Sequence, residues 1–235
     1  MKRARSLRRR RLVAGLILLP TLVLAAGGSF ARAAALPPGP VPSAPAPPAI
    51  DPWQALTELR LHLAASGALA AKFRQTYVPA GFATGDEETG RVALALPDCL
   101  RWDYSEPYPK SYLLCGSRLH TWVAGEPQGE RLHVEARDEA GLDLLLLPVE
   151  QLRSRYTAAA RPASGGTIAV ELVPTASDSR IARTELVFDQ ASQRPTVLSY
   201  RDRDGNLSTF HFDGFELLDD DGLFTPPTTL IWKEP

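Results

Sequence analysis

Four histidines, two cysteines and several clustered aspartates are the side chains in this sequence best equipped to hold a metal or move a proton. His62, His120, His133 and His211 are scattered at spacings that no zinc site uses. Asp202-x-Asp204-Gly205-Asn206 has the opening of a calcium loop, but the distal bidentate glutamate is missing, so it reads as a hairpin turn. Asp219-Asp220-Asp221-Gly222 reads as a solvated acidic turn. There is no G-x-S-x-G elbow, H-E-x-x-H helix or phosphate-cradling glycine loop. The expectation is a binding protein with no metal and no cofactor rather than an enzyme. A hydrolase with a dispersed site is the reading these absences disfavour.

The remaining chemistry is apolar, and it depends on which residues share a face. A helix is expected from Asp51 as N-cap and Pro52 at the first helical position, with Gln54 completing a capping box. Trp53, Leu56, Leu59/Arg60 and Leu63 then form one stripe, and Ser66-Gly67 stops it. Beyond that the period changes to two. Phe73 and Tyr77 share a strand face, as do Val92 and Leu94, and then Leu100, Trp102 and Tyr104. Tyr112 and Leu114 follow, then Leu119, Thr121 and Val123, then Leu132 and Val134. The same alternation returns at Ile168, Val170 and Leu172, at Leu186 and Phe188, at Leu198 and Tyr200, and at Phe210 and Phe212. Such alternation predicts a long, curved antiparallel meander, closed or nearly so, with one apolar face. Pro107-Tyr108-Pro109 and Asp204-Gly205-Asn206 supply hairpin turns. Leu144, Leu145, Leu146 and Leu147, with Pro148 after them, predict one short helix and then a second.

The first of those hairpins makes a prediction about the cysteines. If 98–105 and 111–116 pair around Pro107, facing residues have numbers summing to about 214, which sets Cys99 opposite Cys115. Both lie on the face away from Leu100, Trp102, Tyr104, Tyr112 and Leu114, where a structural disulfide can form.

The N-terminus carries Lys2, Arg3, Arg5 and Arg8 to Arg11, an apolar run over 12–26, and Ala31-Arg32-Ala33. Basic flank, apolar core and small-x-small exit read as a signal peptide over 1–33, cleaved near Ala33/Ala34, with the mature protein in the periplasm. Residues 34–50 hold seven prolines and no charge, a linker that cannot pack a core. A single domain is expected over 51–235. Eight of the 26 basic residues leave with the leader, so 18 face 27 acidic ones, a net of −9. That sign excludes a nucleic-acid binder.

Phe73-Arg74-Gln75, Pro97-x-x-x-Arg101-Trp102-Asp103-Tyr104, Pro107-Tyr108-Pro109, Phe188-Asp189, Asp204-Gly205-Asn206-Leu207-Ser208 and Phe224-Thr225-Pro226-Pro227 occur in an order that resembles the LolA family of lipoprotein carriers. The resemblance spans 51 to about 232. It implies an unclosed antiparallel barrel with an N-terminal helix and short lid helices over an apolar cavity. It also implies a monomeric periplasmic carrier of acylated lipoproteins, working between an inner-membrane exporter complex and an outer-membrane acceptor. A related module that binds lipid or senses lipoproteins without transfer is the alternative. The acyl cavity and lid would be formed by Phe73, Tyr77, Leu94, Leu100, Trp102, Tyr104, Tyr112 and Leu114, together with Leu144, Leu145, Leu147, Phe188, Leu198, Tyr200, Phe210 and Phe212. The family commonly has an arginine just before the proline leading to the tryptophan, where it holds the lid and helps release cargo. Here that residue is Leu96.

Overall fold

Asp51 opens helix α1 (Pro52–Ala65), its carboxylate accepting from the backbone N–H groups of Trp53 (2.8 Å) and Gln54 (3.2 Å). Only half of the expected capping box forms, because the Gln54 amide turns along the helix and donates to Glu58 at 2.9 Å. Leu56, Leu59 and Leu63 are each buried along one face. Burial of three such side chains is worth on the order of 5 kcal/mol, which outweighs anything the cap contributes. Gly67, at φ +77°, turns the chain out of the helix.

The computed structural model describes residues 49–134, 143–219 and 221–234, within a compact unit spanning Pro47–Pro235. The expected leader and nearly all of the expected linker lie outside the described residues, as does the continuation of the strand at Val134 beyond that residue.

After α1 the chain makes a meander of six strands: β1 (Leu69–Val78), β2 (Asp86–Ala95), β3 (Cys99–Glu106), β4 (Lys110–Cys115), β5 (Arg118–Val123) and β6 (Gln128–His133). Helices α2 (Asp143–Leu146) and α3 (Val149–Arg155) follow. A second meander then runs through β7 (Tyr156–Pro162), β8 (Thr167–Pro174), β9 (Ile181–Asp189), β10 (Arg194–Asp202) and β11 (Leu207–Leu217). Pairing of β1 with β11 joins the two into one sheet, and a short β12 (Ile231–Lys233) completes it in the order β12-β6-β5-β4-β3-β2-β1-β11-β10-β9-β8-β7. The ends, β12 and β7, are not paired to each other, so the barrel is unclosed.

The sheet is strongly curved. Strands β3 and β11 are three inter-strand steps apart, about 14 Å in a flat sheet. Yet Trp102 on β3 and Phe210 on β11 have ring centroids 4.9 Å apart. The topology also explains why helices cover the concave side. The chain must pass from β6, near one edge, to β7, at the other, and α2 and α3 lie in that connection. Leu144, Val149 and Leu152 of these helices are buried in the same core as the strands.

Three features differ from the sequence reading. Strand β7 (YTAAARP) was not anticipated, because alanines carry little strand signal. Ala158 and Ala160 face the core where α1 and α3 come close, and small side chains suit that approach. Strand β12 pairs with β6 in parallel, so the sheet is not wholly antiparallel. The acidic turn after Leu218 leads into a 3-10 helix, Asp221–Phe224, that lies against the outer face of β3. Arg101, on that outer face, donates to the Leu223 carbonyl at 2.7 Å and forks onto Asp103.

Candidate functional site

The inner face is built from strand periodicity alone. Phe73, pointing inward from β1, sits over Gly90 of β2, where an added Cβ would collide with the ring. Its ring meets Trp102 at 4.9 Å and Tyr104 at 4.9 Å, both edge-on. Trp102 continues to Phe210 (4.9 Å) and Phe212 (5.9 Å), and Tyr200 packs on Phe210 at 6.2 Å. These edge-on and tilted rings form one connected aromatic floor across β3, β1, β11 and β10.

Of the expected cavity residues, Phe73, Leu94, Leu100, Trp102, Leu144, Phe188, Leu198, Phe210 and Phe212 fall in a single buried cluster. Tyr104, Tyr112, Leu147 and Tyr200 pack half-buried at its margin. Leu114 is buried on the same face, between Leu100 and Leu119. Tyr77 is at the rim and 39% exposed. The side chain of Leu145 lies outside the described residues. Sequence reasoning named the helix stripe but gave Arg60 no role. The only trace of one is its position beside Leu59 at the border of that stripe.

Towards the rim the floor turns polar. The Tyr104 hydroxyl donates to Gln75 Oε1 at 2.6 Å, and Lys110 bonds Glu88 at 2.7 Å while lying 4.5 Å over the Tyr104 ring. Burial, reinforced by Glu88, pushes the Tyr104 phenol well above its ordinary value, so it remains a neutral donor. Burial raises Tyr200 too, against a hydrogen bond with Ser208. Tyr77, Ser208, Tyr200 and Thr184 are paired strand to strand, a row of four hydroxyls across β1, β11, β10 and β9.

The lid is fastened by Arg60. Its guanidinium donates to the Leu146 carbonyl at 3.0 Å and, at 3.4 Å, to that of Leu144. Burial lowers the Arg60 pKa, with Glu150 opposing the shift. Arg153 of α3 lies 5.5 Å over the Trp53 ring, a second tie between the covering helices. Leu96 packs half-buried against the core.

Residues 65–226 match the family described as outer membrane lipoprotein carrier protein LolA. The chain belongs to the LolA family. No curated protein sequence matches it. Among solved structures it is similar to a LolA superfamily protein from Nitrosomonas europaea, with 14% identity and a TM-score of 0.44 over 76% of this chain and 99% of that one. It is also similar to an uncharacterised conserved protein from Thermus thermophilus, with 12% identity and a TM-score of 0.48 over 76% and 98% of the two chains. The MucA/MucB complex of Pseudomonas aeruginosa matches at 13% identity and a TM-score of 0.43, over 77% of this chain and 62% of that one. The LolA assignment rests on the sequence match. In this LolA-family chain Arg60 of α1, which precedes the matched residues, contacts the lid, while the position before Pro97 holds Leu96.

The disulfide lies on the other side of the sheet. Cys99 and Cys115 face each other in the β3–β4 register and are bonded. Asp202 is occupied as a turn residue, accepting from the Asn206 backbone (2.8 Å) and side chain (2.7 Å). Among the described residues no three His, Cys, Asp or Glu side chains gather to hold a metal.

Proposed function

We propose that this protein is a periplasmic carrier that holds the acyl chains of lipoproteins between its aromatic floor and its covering helices and delivers them from the inner to the outer membrane. The observation that carries the reading is the fastening of the lid: a floor of Phe73, Trp102, Phe210 and Phe212 is covered by helices tied down through a few polar contacts, chiefly those of Arg60. Transferring a 16-carbon chain from water is worth on the order of 12 kcal/mol, and a pocket that kept all of it would not let go. Leucines of α1 and α2 pack into the same core as the floor, so cargo must compete with them, which lowers net affinity into a reversible range. The expected signal peptide supports export, and the acyl cargo requires no catalytic group.

The direct test is whether the mature protein, residues 34–235, binds a fluorescent acyl probe and keeps a lipopeptide from aggregating; failure of both ends the carrier reading. Leu96 in place of the family arginine favours a second reading, a binding or sensing module without transfer. Depletion in the native host separates the two. Outer-membrane lipoproteins accumulate in the inner membrane only if this chain transfers them.

A further inference from the structure

We propose that the indole N–H of Trp102 is the hydrogen-bond donor for a carbonyl oxygen of the ligand, so that the site selects acyl esters or amides over plain alkyl chains. The inference rests on the acyl-binding reading above. Trp102 is 3% exposed, and its Nε1 is buried without an acceptor. Among the described residues it is the one such atom in the core cluster; the buried orphans of His120 and Arg131, for example, belong to the outer side of the sheet. A buried N–H without an acceptor is destabilising, and the Phe73 and Phe210 rings, each at 4.9 Å, are weak acceptors at best. Phenylalanine could fill much of this position with no orphaned donor.

Its place along the strand fits a carbonyl. On the same face of β3, Leu100 lies on one side of Trp102 in the apolar floor, and Tyr104 lies on the other in the polar band. The Tyr104 hydroxyl is already bonded to Gln75, and the row Tyr77, Ser208, Tyr200 and Thr184 adds hydroxyls on the neighbouring strands. An acyl chain with its tail over Leu100 and Leu94 would bring its first oxygen to this boundary. A hydrocarbon of the same length would leave the N–H as it is.

The experiment displaces a fluorescent acyl probe from the mature protein with methyl palmitate, with hexadecyl methyl ether, or with an N-palmitoylated peptide. The carbonyl compounds should compete about fivefold better than the ether, the worth of one neutral hydrogen bond. In Trp102→Phe the ratio should fall to about one. An advantage confined to the acylated peptide identifies a lipoprotein as the source of the carbonyl, and one confined to the ester identifies a lipid. The unmutated protein gives a second readout. Its four tryptophans yield separate indole N–H resonances, and the one missing from Trp102→Phe should move further downfield with ester than with ether, whose oxygen is the weaker acceptor. A ratio of one to the ether for both the ester and the acylated peptide in the native protein, or an advantage that persists in Trp102→Phe, overturns the assignment. If none of the three compounds displaces the probe and the probe itself does not bind, the carrier reading falls with it.

Discussion

A methyl group at position 90 would meet the carbonyl oxygen of Asp103 and the ring of Phe73. Neither can yield cheaply: one is strand backbone, and the other is wedged between Trp102 and Tyr104. Gly90→Ala is therefore expected to cost about 2–3 kcal/mol, read as a lower urea midpoint with an unchanged slope. His120 poses a different residue-scale problem. It is buried with Nδ1 unpartnered, its ring against Trp232 at 4.9 Å. Burial lowers its pKa, and Arg131 and Arg118 lower it further. The unfolded chain thus binds a proton near pH 6.5, where the folded one still refuses it. Stability attributable to this group is complete above about pH 6.5 and falls as the pH drops towards the folded-state value. Urea midpoints between pH 7.5 and 5 should show that decline, and His120→Gln should flatten it. An equal decline in both proteins would assign it elsewhere. Alternation at Leu119, Thr121 and Val123 made the outward direction of His120 legible in the sequence, but not its burial, since outward positions are expected to meet water.

At the scale of elements, α1 acts as both core and fastener. Arg60→Met keeps the stem of the side chain but removes its bonds to the Leu144 and Leu146 carbonyls. If the lid competes with cargo as proposed, loosening it by about 1 kcal/mol should raise apparent affinity for an acyl probe roughly fivefold. Titration with the probe checks this, and unchanged or weaker binding would show that Arg60 does not hold the lid shut. The Cys99–Cys115 bond closes a loop of sequence separation 16 on the outer face, so reduction should cost about 2–3 kcal/mol of stability and leave acyl affinity as it was. This cross-link was legible because a tight turn at Pro107 sets the β3–β4 register from nearby residues. The Leu144–Leu147 run likewise announced the lid. The bonds of Arg60 to residues more than eighty positions away were not legible, because no local pattern specifies which carbonyls a long cation will reach. The parallel pairing of β12 with β6 was hidden for the same reason.

At the scale of the whole molecule, the sheet separates two jobs onto its two faces. The concave face carries the aromatic floor and the lid. On the convex face the C-terminal segment runs from β3 and β4, where the Leu223 carbonyl accepts from Arg101 and the Phe224 carbonyl lies beside Cys115, to the β6 edge. Leu113 is 1% exposed although it points away from the main core. Trp232 ends that strap, its ring against Gly129, where a side chain would collide with it, and near Trp122 at 6.0 Å. Pairing β12 onto β6 also covers a strand edge that would otherwise invite another chain. Trp232→Ala should therefore destabilise the fold by about 1–3 kcal/mol, less than for a fully buried tryptophan because this one is half-buried. It should also erase much of the pH dependence assigned to His120, since water then reaches that ring. Affinity for an acyl probe should stay within about twofold, because Trp232 packs on Gly129, His120 and Trp122 away from the aromatic floor, and distant sites add independently. Urea unfolding at pH 5.5 and 7.5, with a probe titration on the same preparation, reads all three effects. Loss of acyl binding in Trp232→Ala at a temperature where the protein remains folded would mean that the faces are coupled through the sheet, and that the strap helps set the curvature on which the floor depends.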